Sequence, residues 1–152
     1  MKKIAIGADD AAYAFRDVLV NYLTEHNIGI VDYSSDKRQH ARYYPDIAHE
    51  LAMAVKQGEH DRGILICGTG IGMSIVANKV PGIRAALCHD TFSAERARKS
   101  NNAQIITLGA RVIGPELAKK IIQAWLDAEY EGGTSTPKVE RIDYYQNQHA
   151  KN

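Results

Sequence analysis

Gly63-Ile-Leu-Ile-Cys67-Gly-Thr-Gly-Ile-Gly72-Met-Ser-Ile75 sets an apolar run of strand length directly against a cysteine, a glycine loop and the start of a helix-period segment. An apolar run closed by clustered glycines reads as a fully buried strand ending in a tight turn, the pattern of a parallel strand covered on both faces. Glycines at 68, 70 and 72 let the main chain curl without Cβ clashes, and the first N–H groups of the following helix lack intrahelical partners. Such a loop is a cradle for an anion or an oxyanion. Cys67 at its edge sits beside a positive helix end, which favours the thiolate and makes the sulfur available as a base or nucleophile.

Outward from this stretch, strand-length apolar runs alternate with helix-period segments. Lys3-Ile-Ala-Ile-Gly7 reads as a short buried strand, and Ala14 to His26 carries Phe15, Val18, Leu19, Tyr22 and Leu23 at helical spacing. Ile30 to Tyr33 is a second strand, Pro45 opens a helix that runs to Gln57, and Gly58 stands where a terminating glycine belongs. After Gly63 to Cys67, a helix is expected from about Met73, then strands at Ile83 to Leu87 and Gln104 to Leu108, separated by a helix over Thr91 to Ser100. Pro115 starts a further helix, and Pro137 to His149 reads as a final polar one.

Strands joined by crossover helices imply a Rossmann-like α/β fold, a five-stranded parallel sheet wound right-handedly with helices on both faces. Ligands of such sheets bind beyond the carboxyl ends of the strands. There the chain places Asp9-Asp10, Cys67 to Gly72, His89-Asp90 and Gly109-Ala-Arg111. Residues 1–136 read as one α/β domain and 137–152 as a helical extension of it, poor in apolar residues and expected to pack on a partner subunit.

Composition narrows the classes. The 152 residues carry 45% hydrophobic and 24% charged side chains with a formal net charge of +1, which offers no clustered basic face for nucleic acid. No apolar run approaches the ~20 residues that span a bilayer, and nothing resembles a secretory signal. Cys67 and Cys88 each end a strand, and fit a reducing cytoplasm better than a disulfide framework. Cys88 lacks the glycine loop and reads as structural. No cluster of His, Cys and carboxylates has metal-ligand spacing, so no metal is expected. Lys37, Arg38, His40 and Arg42 form a basic loop that reads as solvated.

Several longer strings are specific: Lys3-Ile-Ala-Ile-Gly7 with Asp9, Tyr44-Pro45-Asp46, the glycine stretch itself, Ala77-Asn-Lys-Val-Pro-Gly-Ile-Arg84-Ala-Ala86, Asn101, and Leu108-Gly-Ala-Arg111-Val-Ile-Gly114. Together they resemble the family of ribose-5-phosphate isomerase B and the galactose-6-phosphate isomerase subunits along nearly the full chain. The resemblance implies an aldose-ketose isomerase that needs no cofactor or metal, acts on a small phosphorylated sugar, and forms a dimer or tetramer with active sites at a subunit interface.

Moving a proton between C1 and C2 through an enediolate needs a base near both carbons and donors aimed at the oxygens. By resemblance Cys67 is the catalytic base and Thr69 stands beside the developing enediolate. Gly68, Gly70, Ile71, Gly72 and Met73 form the loop whose N–H groups hold the oxyanion, Asp9 and Asn101 bind substrate hydroxyls, and Tyr44 walls the pocket. Arg111 matches a phosphate position, as does Lys138, which would reach in from the neighbouring subunit.

Departures from that family pattern bear on the substrate. Asp10 stands where ribose-5-phosphate isomerases of this type carry histidine, Ser100 replaces the histidine assigned to opening the furanose ring, and Thr134 replaces one C-terminal arginine. Ser100-Asn-Asn-Ala-Gln-Ile-Ile-Thr107 resembles the branch linked to tetrose phosphates, and a tetrose esterified at O4 cannot close a five-membered ring. The substrate expected is a pentose 5-phosphate or a tetrose 4-phosphate. Two other readings stay open: a nucleotide-binding module, since Gly68-x-Gly-x-Gly72 with Asp90 imitates a dinucleotide fingerprint although Met73 occupies its third glycine position, and a noncatalytic subunit of a hetero-oligomeric isomerase.

Overall fold

The computed structural model describes residues 2–39 and 43–150. His40 and Arg42 of the basic loop therefore lie outside the described residues. Within them the order is β1 (Ile4–Ala8), α1 (Tyr13–Glu25), β2 (Ile30–Asp32), α2 (Tyr44–Lys56), β3 (Gly63–Cys67), α3 (Ile71–Ala77), β4 (Ala85–Leu87), α4 (Thr91–Lys99), β5 (Ile105–Gly109), α5 (Pro115–Asp127) and α6 (Thr136–His149), with a short 3₁₀ turn before α6. The strands form one parallel sheet in the order β2-β1-β3-β5-β4, as the alternating pattern requires.

Alternation along β3 assigns each side chain to a layer. Ile64 and Ile66 join β1, α1, α4 and α5 around Leu19, Ile121, Ile122 and Trp125, while Leu65 and Cys67 face α2 and α3 around Ile47, Leu51 and Met73. Burying both faces explains why β1, β3 and β5 are continuous buried runs rather than alternating ones. Strand direction reverses its spread between β1 and β3, and Asp9 and Cys67 stand at the open ends of these neighbours.

Most sequence boundaries hold within one residue, and two starts move by two residues. The helix expected from Met73 begins at Ile71, because Gly70 takes a left-handed φ of 79° and turns the chain sharply enough to start α3 at once. The fourth strand starts at Ala85 rather than Ile83, since Ile83 closes a turn onto the Val80 carbonyl.

A charge cluster pins α1 to the segment after β2. Arg16 is 3% exposed, and such a burial is tolerable only with close counter-charges. Its guanidinium reaches Asp36 at 2.5 Å, Asp17 at 2.8 Å and Asp32 at 3.7 Å. The Arg16 hydrogen bond holds the Asp36 carboxyl below the usual carboxylate range. A depressed carboxyl contributes stability above its unfolded value and loses it as pH falls through the folded one. Asp36→Asn should therefore lower the urea midpoint at pH 7, with the gap to wild type closing as pH drops below about 4. Midpoints at pH 7 and pH 3 check this, and a pH-independent gap would show that the pair contributes only packing.

Candidate active site

Three loops meet beyond β1, β3 and β5. A cavity of about 420 Å3 is lined there by Asp9, Tyr44, Cys67, Gly68, Thr69, Ile71, Gly72 and Arg111, with Ala11 and Ile75 completing its rim. Cys67 is 6% exposed at its floor. The Gly70 N–H points back at Sγ from 3.0 Å, a donor placed where a thiolate would accept. Thr69 Oγ1 accepts from the Ile71 N–H at 3.2 Å, so two loop donors turn inward, leaving those of Gly72 and Met73 in the first turn of α3 without intrahelical acceptors.

Each glycine of the loop has its own reason. Gly70 needs its positive φ, and a Cβ there would also meet the Leu108 backbone at 2.8 Å. Gly72 lies within α3 but faces Tyr44, whose ring occupies the space a Cβ would take, with a closest approach of 2.2 Å. Met73 is fully buried in the α2-side core, so only its backbone faces the loop.

Asp9 Oδ1 accepts from the Ala11 N–H at 3.1 Å. Burial pushes its carboxyl above the ordinary aspartate range, the Ala11 bond and the Arg111 charge oppose this, and neighbouring Asp10 adds to it. Arg111 is anchored by its own N–H to the Gly68 carbonyl at 3.0 Å and extends over Gly68, leaving an exposed guanidinium at the cavity mouth. Asp10 is exposed and does not line the cavity.

Other candidates lie elsewhere in this chain. Ser100 caps the end of α4, where its hydroxyl accepts from Arg96 Nε at 2.9 Å, and Asn101 follows it. They precede β5 and so sit at the amino end of the sheet, a strand length of roughly 13 Å from the carboxyl end that Cys67 shares with Gly109. Lys138 lies on α6, beside Arg141, Ile142 and Tyr145. That helix touches its own chain through Gln146 Oε1, which accepts the Gly82 N–H at 2.8 Å, and leaves Ile142, Tyr144 and Tyr145 exposed. The strand expected at Gln104 to Leu108 already separates Ser100 and Asn101 from Arg111, and it was the resemblance, not the spacing, that grouped them with Cys67.

Among the remaining residues, Asp90 accepts the Ser93 N–H at 2.6 Å as the N-cap of α4, and His89 Nε2 accepts the Gly109 N–H at 2.9 Å. Both serve the framework, and Asp90 is not free for the ribose contact that the dinucleotide reading required. Cys88 is buried among α4-side residues, and burial with the Asp90 charge pushes its thiol up to about 11. Arg38 stacks over Tyr33 at 4.4 Å and faces Glu50 at 3.9 Å, so this part of the basic loop is committed to packing.

Comparison with known proteins places this geometry. The family model described as Ribose/Galactose Isomerase matches residues 4–142. The chain is 64% identical to a D-erythrulose-4-phosphate isomerase of Pectobacterium atrosepticum, over 97% of each chain. It is 45% identical to the ribose-5-phosphate isomerase B of Escherichia coli, over 93% of this chain and 95% of that one. The structure superimposes on ribose-5-phosphate isomerase B of Clostridium thermocellum with a TM-score of 0.91 at 41% identity, covering 97% of this chain and 99% of the other.

The Tyr44–Gly72 contact yields a test of the pocket wall. Gly72→Ala should fold but drive the Tyr44 ring out of the cavity, lowering kcat/KM by about 10- to 100-fold, the cost of a displacement near 1 Å at a reacting centre. Steady-state kinetics beside a melting curve check it, and unchanged kinetics would take Tyr44 out of the site.

Proposed function

The chain belongs to the ribose/galactose isomerase family and is a sugar-phosphate aldose-ketose isomerase, and from that premise we propose that Cys67 is its catalytic base and a tetrose 4-phosphate its substrate. The observation that carries the base is the sulfur at the cavity floor with the Gly70 N–H 3.0 Å away. The thiolate takes the proton from C2 of the aldose and returns it to C1, or the reverse, and the intervening enediolate needs no further carbon chemistry. Thr69 stands beside the oxygens, the N–H groups of Gly72 and Met73 share the developing negative charge, and Asp9 orders a substrate hydroxyl. Arg111 at the mouth receives the phosphate.

A cavity with one cation at its mouth is half of a phosphate site. Ser100, Asn101 and Lys138 sit away from the pocket of their own chain, so we infer a homo-oligomer in which a second copy supplies them. Ile71 at 52% and Ile75 at 55% exposure present an apolar rim beside the pocket for that copy to cover. The chain has free thiols at Cys67 and Cys88 and no described helix long and apolar enough to cross a membrane, which supports work in the cytoplasm on a dissolved metabolite.

Ser100 supports the tetrose reading. Its hydroxyl is bound by Arg96 and is too weak an acid to open a furanose, and a tetrose 4-phosphate makes none. The 64% identity to a D-erythrulose-4-phosphate isomerase agrees, and interconversion of erythrose and erythrulose 4-phosphates is the reaction we assign.

Two experiments test these assignments. Cys67→Ser should lower kcat by ~10²–10⁴ and Lys138→Ala should raise KM, yet refolding equal amounts of the two unfolded variants together should restore about a quarter of wild-type activity at substrate well below KM, because half of the dimers then carry one intact site. No recovery on mixing would place Lys138 and Cys67 of one chain in the same site. On a phosphosugar panel read by NMR, erythrulose 4-phosphate should exceed ribose 5-phosphate in kcat/KM by at least about tenfold, and Ser100→His should raise ribose 5-phosphate turnover selectively. A wild-type preference for ribose 5-phosphate would overturn the tetrose assignment.

A further inference from the structure

At the amino ends of the strands, opposite Cys67, lies a second concavity of about 380 Å3, bordered by Lys2, His60, Arg62, Arg84, Arg98 and Gln104. Its cations are unequally satisfied. Of the two acids on its wall, Asp61 faces Lys2 at 3.5 Å and Glu129 faces Arg62 at 2.9 Å. Arg62, 7% exposed, spends its other donors on the Trp125 carbonyl at 2.5 Å and the Ala128 carbonyl at 2.6 Å. His60 lies between the Lys3 carbonyl at 2.7 Å and the Tyr33 hydroxyl at 2.8 Å, so it too is committed.

Arg98 is the exception. Its guanidinium makes one long bond, from Nη1 to the Ala103 carbonyl at 3.3 Å. Its Nε is the one buried side-chain nitrogen or oxygen without a hydrogen-bond partner among the described residues, closed off from solvent, so the donor that faces the concavity is Nη2, which bonds to none of them. No ion pair among those residues includes it. Arg84 stands near it, giving Nε to the Asn102 carbonyl at 3.0 Å and lying 3.8 Å from Asp143. Burial makes charge harder to hold on Arg98; the Glu129 and Asp61 carboxylates on the same wall oppose this in part, and the Arg84 charge adds to it.

We propose that this concavity binds a phosphate group, free or esterified, clamped between Arg98 and Arg84 with Lys2 in reach. A guanidinium fork pairs two oxygens of an anion at once, and the third oxygen and second charge of a phosphate suit a site that also offers Arg84 and Lys2. The site is separate from the Cys67 pocket, since the two lie at opposite ends of β3, and it does not depend on the substrate assigned there. Through Arg84 and Arg98 it grips the Asn102 and Ala103 carbonyls, just after Ser100 and Asn101. A ligand here therefore bears on the loop that a neighbouring copy would receive.

Proton–nitrogen NMR on the Arg111→Ala, Lys138→Ala protein, which lacks both phosphate contacts assigned to the first pocket, reads this site directly. The Arg98 Nε–H signal, assigned by its disappearance in Arg98→Lys, should move saturably with inorganic phosphate or glycerol phosphate at a Kd on the order of millimolar. In calorimetry, Arg98→Lys should weaken that binding by at least about fivefold, because a lysine keeps the charge and loses the fork. Response to both probes marks recognition of the phosphate group alone, and response to one marks the free or the esterified form as the ligand. A signal that stays still to about 50 mM of both probes, or a lysine variant that binds equally well, overturns the proposal.

Discussion

The hydroxyl of Thr107, fully buried in the middle of β5, donates to the Gly70 carbonyl at 2.9 Å, and the geometry of the pocket hangs on that bond. A threonine inside a parallel sheet needs a partner for its oxygen, and here the partner is the turn that starts α3. The bond fixes Gly70 from one side while its N–H fixes Cys67 Sγ from the other. Thus one left-handed residue ties the sheet, the helix and the reactive sulfur together. Its backbone is confined further by Leu87 and Leu108, which leave no room for a side chain. The turn at Gly70 is held from both sides, while the N–H groups of Gly72 and Met73 stay without intrahelical acceptors.

Much of this was legible in the chain itself. The five strands and their parallel arrangement follow from buried apolar runs at regular intervals, and the convergence of Asp9, Cys67 and Arg111 follows from placing loops at strand ends. The start of α3 did not follow, because three alternating glycines look equally permissive in a sequence, while only Gly70 uses a positive φ and Gly72 answers to an aromatic ring across a gap. The two ends of β5 were legible in the strand expected at Gln104 to Leu108, and the family resemblance nonetheless assigned residues from both ends to one site. Ser100 and Arg111 are close in sequence and both belong to the family pattern, yet β5 runs between them and carries them to opposite edges. The amino-end arginines were not legible as a cluster: Arg84 belongs to a family string, but Arg62 and Arg84 stand just before β3 and β4 and Arg98 lies on α4, so they meet only after folding.

This two-ended layout bears on the substrate assignment proposed above. The cavity of one chain is lined by Cys67, the glycine loop and Arg111. The residues that differ from the ribose-type pattern, Asp10, Ser100 and Thr134, do not line it. On the assembly proposed above, Ser100 would vary at the face a chain offers its neighbour while the proposed base and its loop stay constant. The division also separates constraints, because the loop is held by the core and the variable residues are held by helix ends.

The two thiols of this chain answer to different surroundings. Cys88 is 2% exposed with its thiol pushed up to about 11, whereas Cys67 opens into a cavity of about 420 Å3. Of the two sulfurs, Cys67 lines a cavity, which gives a small electrophile a route to it. On the role proposed for Cys67, the equivalents of reagent consumed would count the folded, unoccupied sites in a preparation. Protection by a phosphosugar converts the same count into an occupancy, with no need to follow turnover.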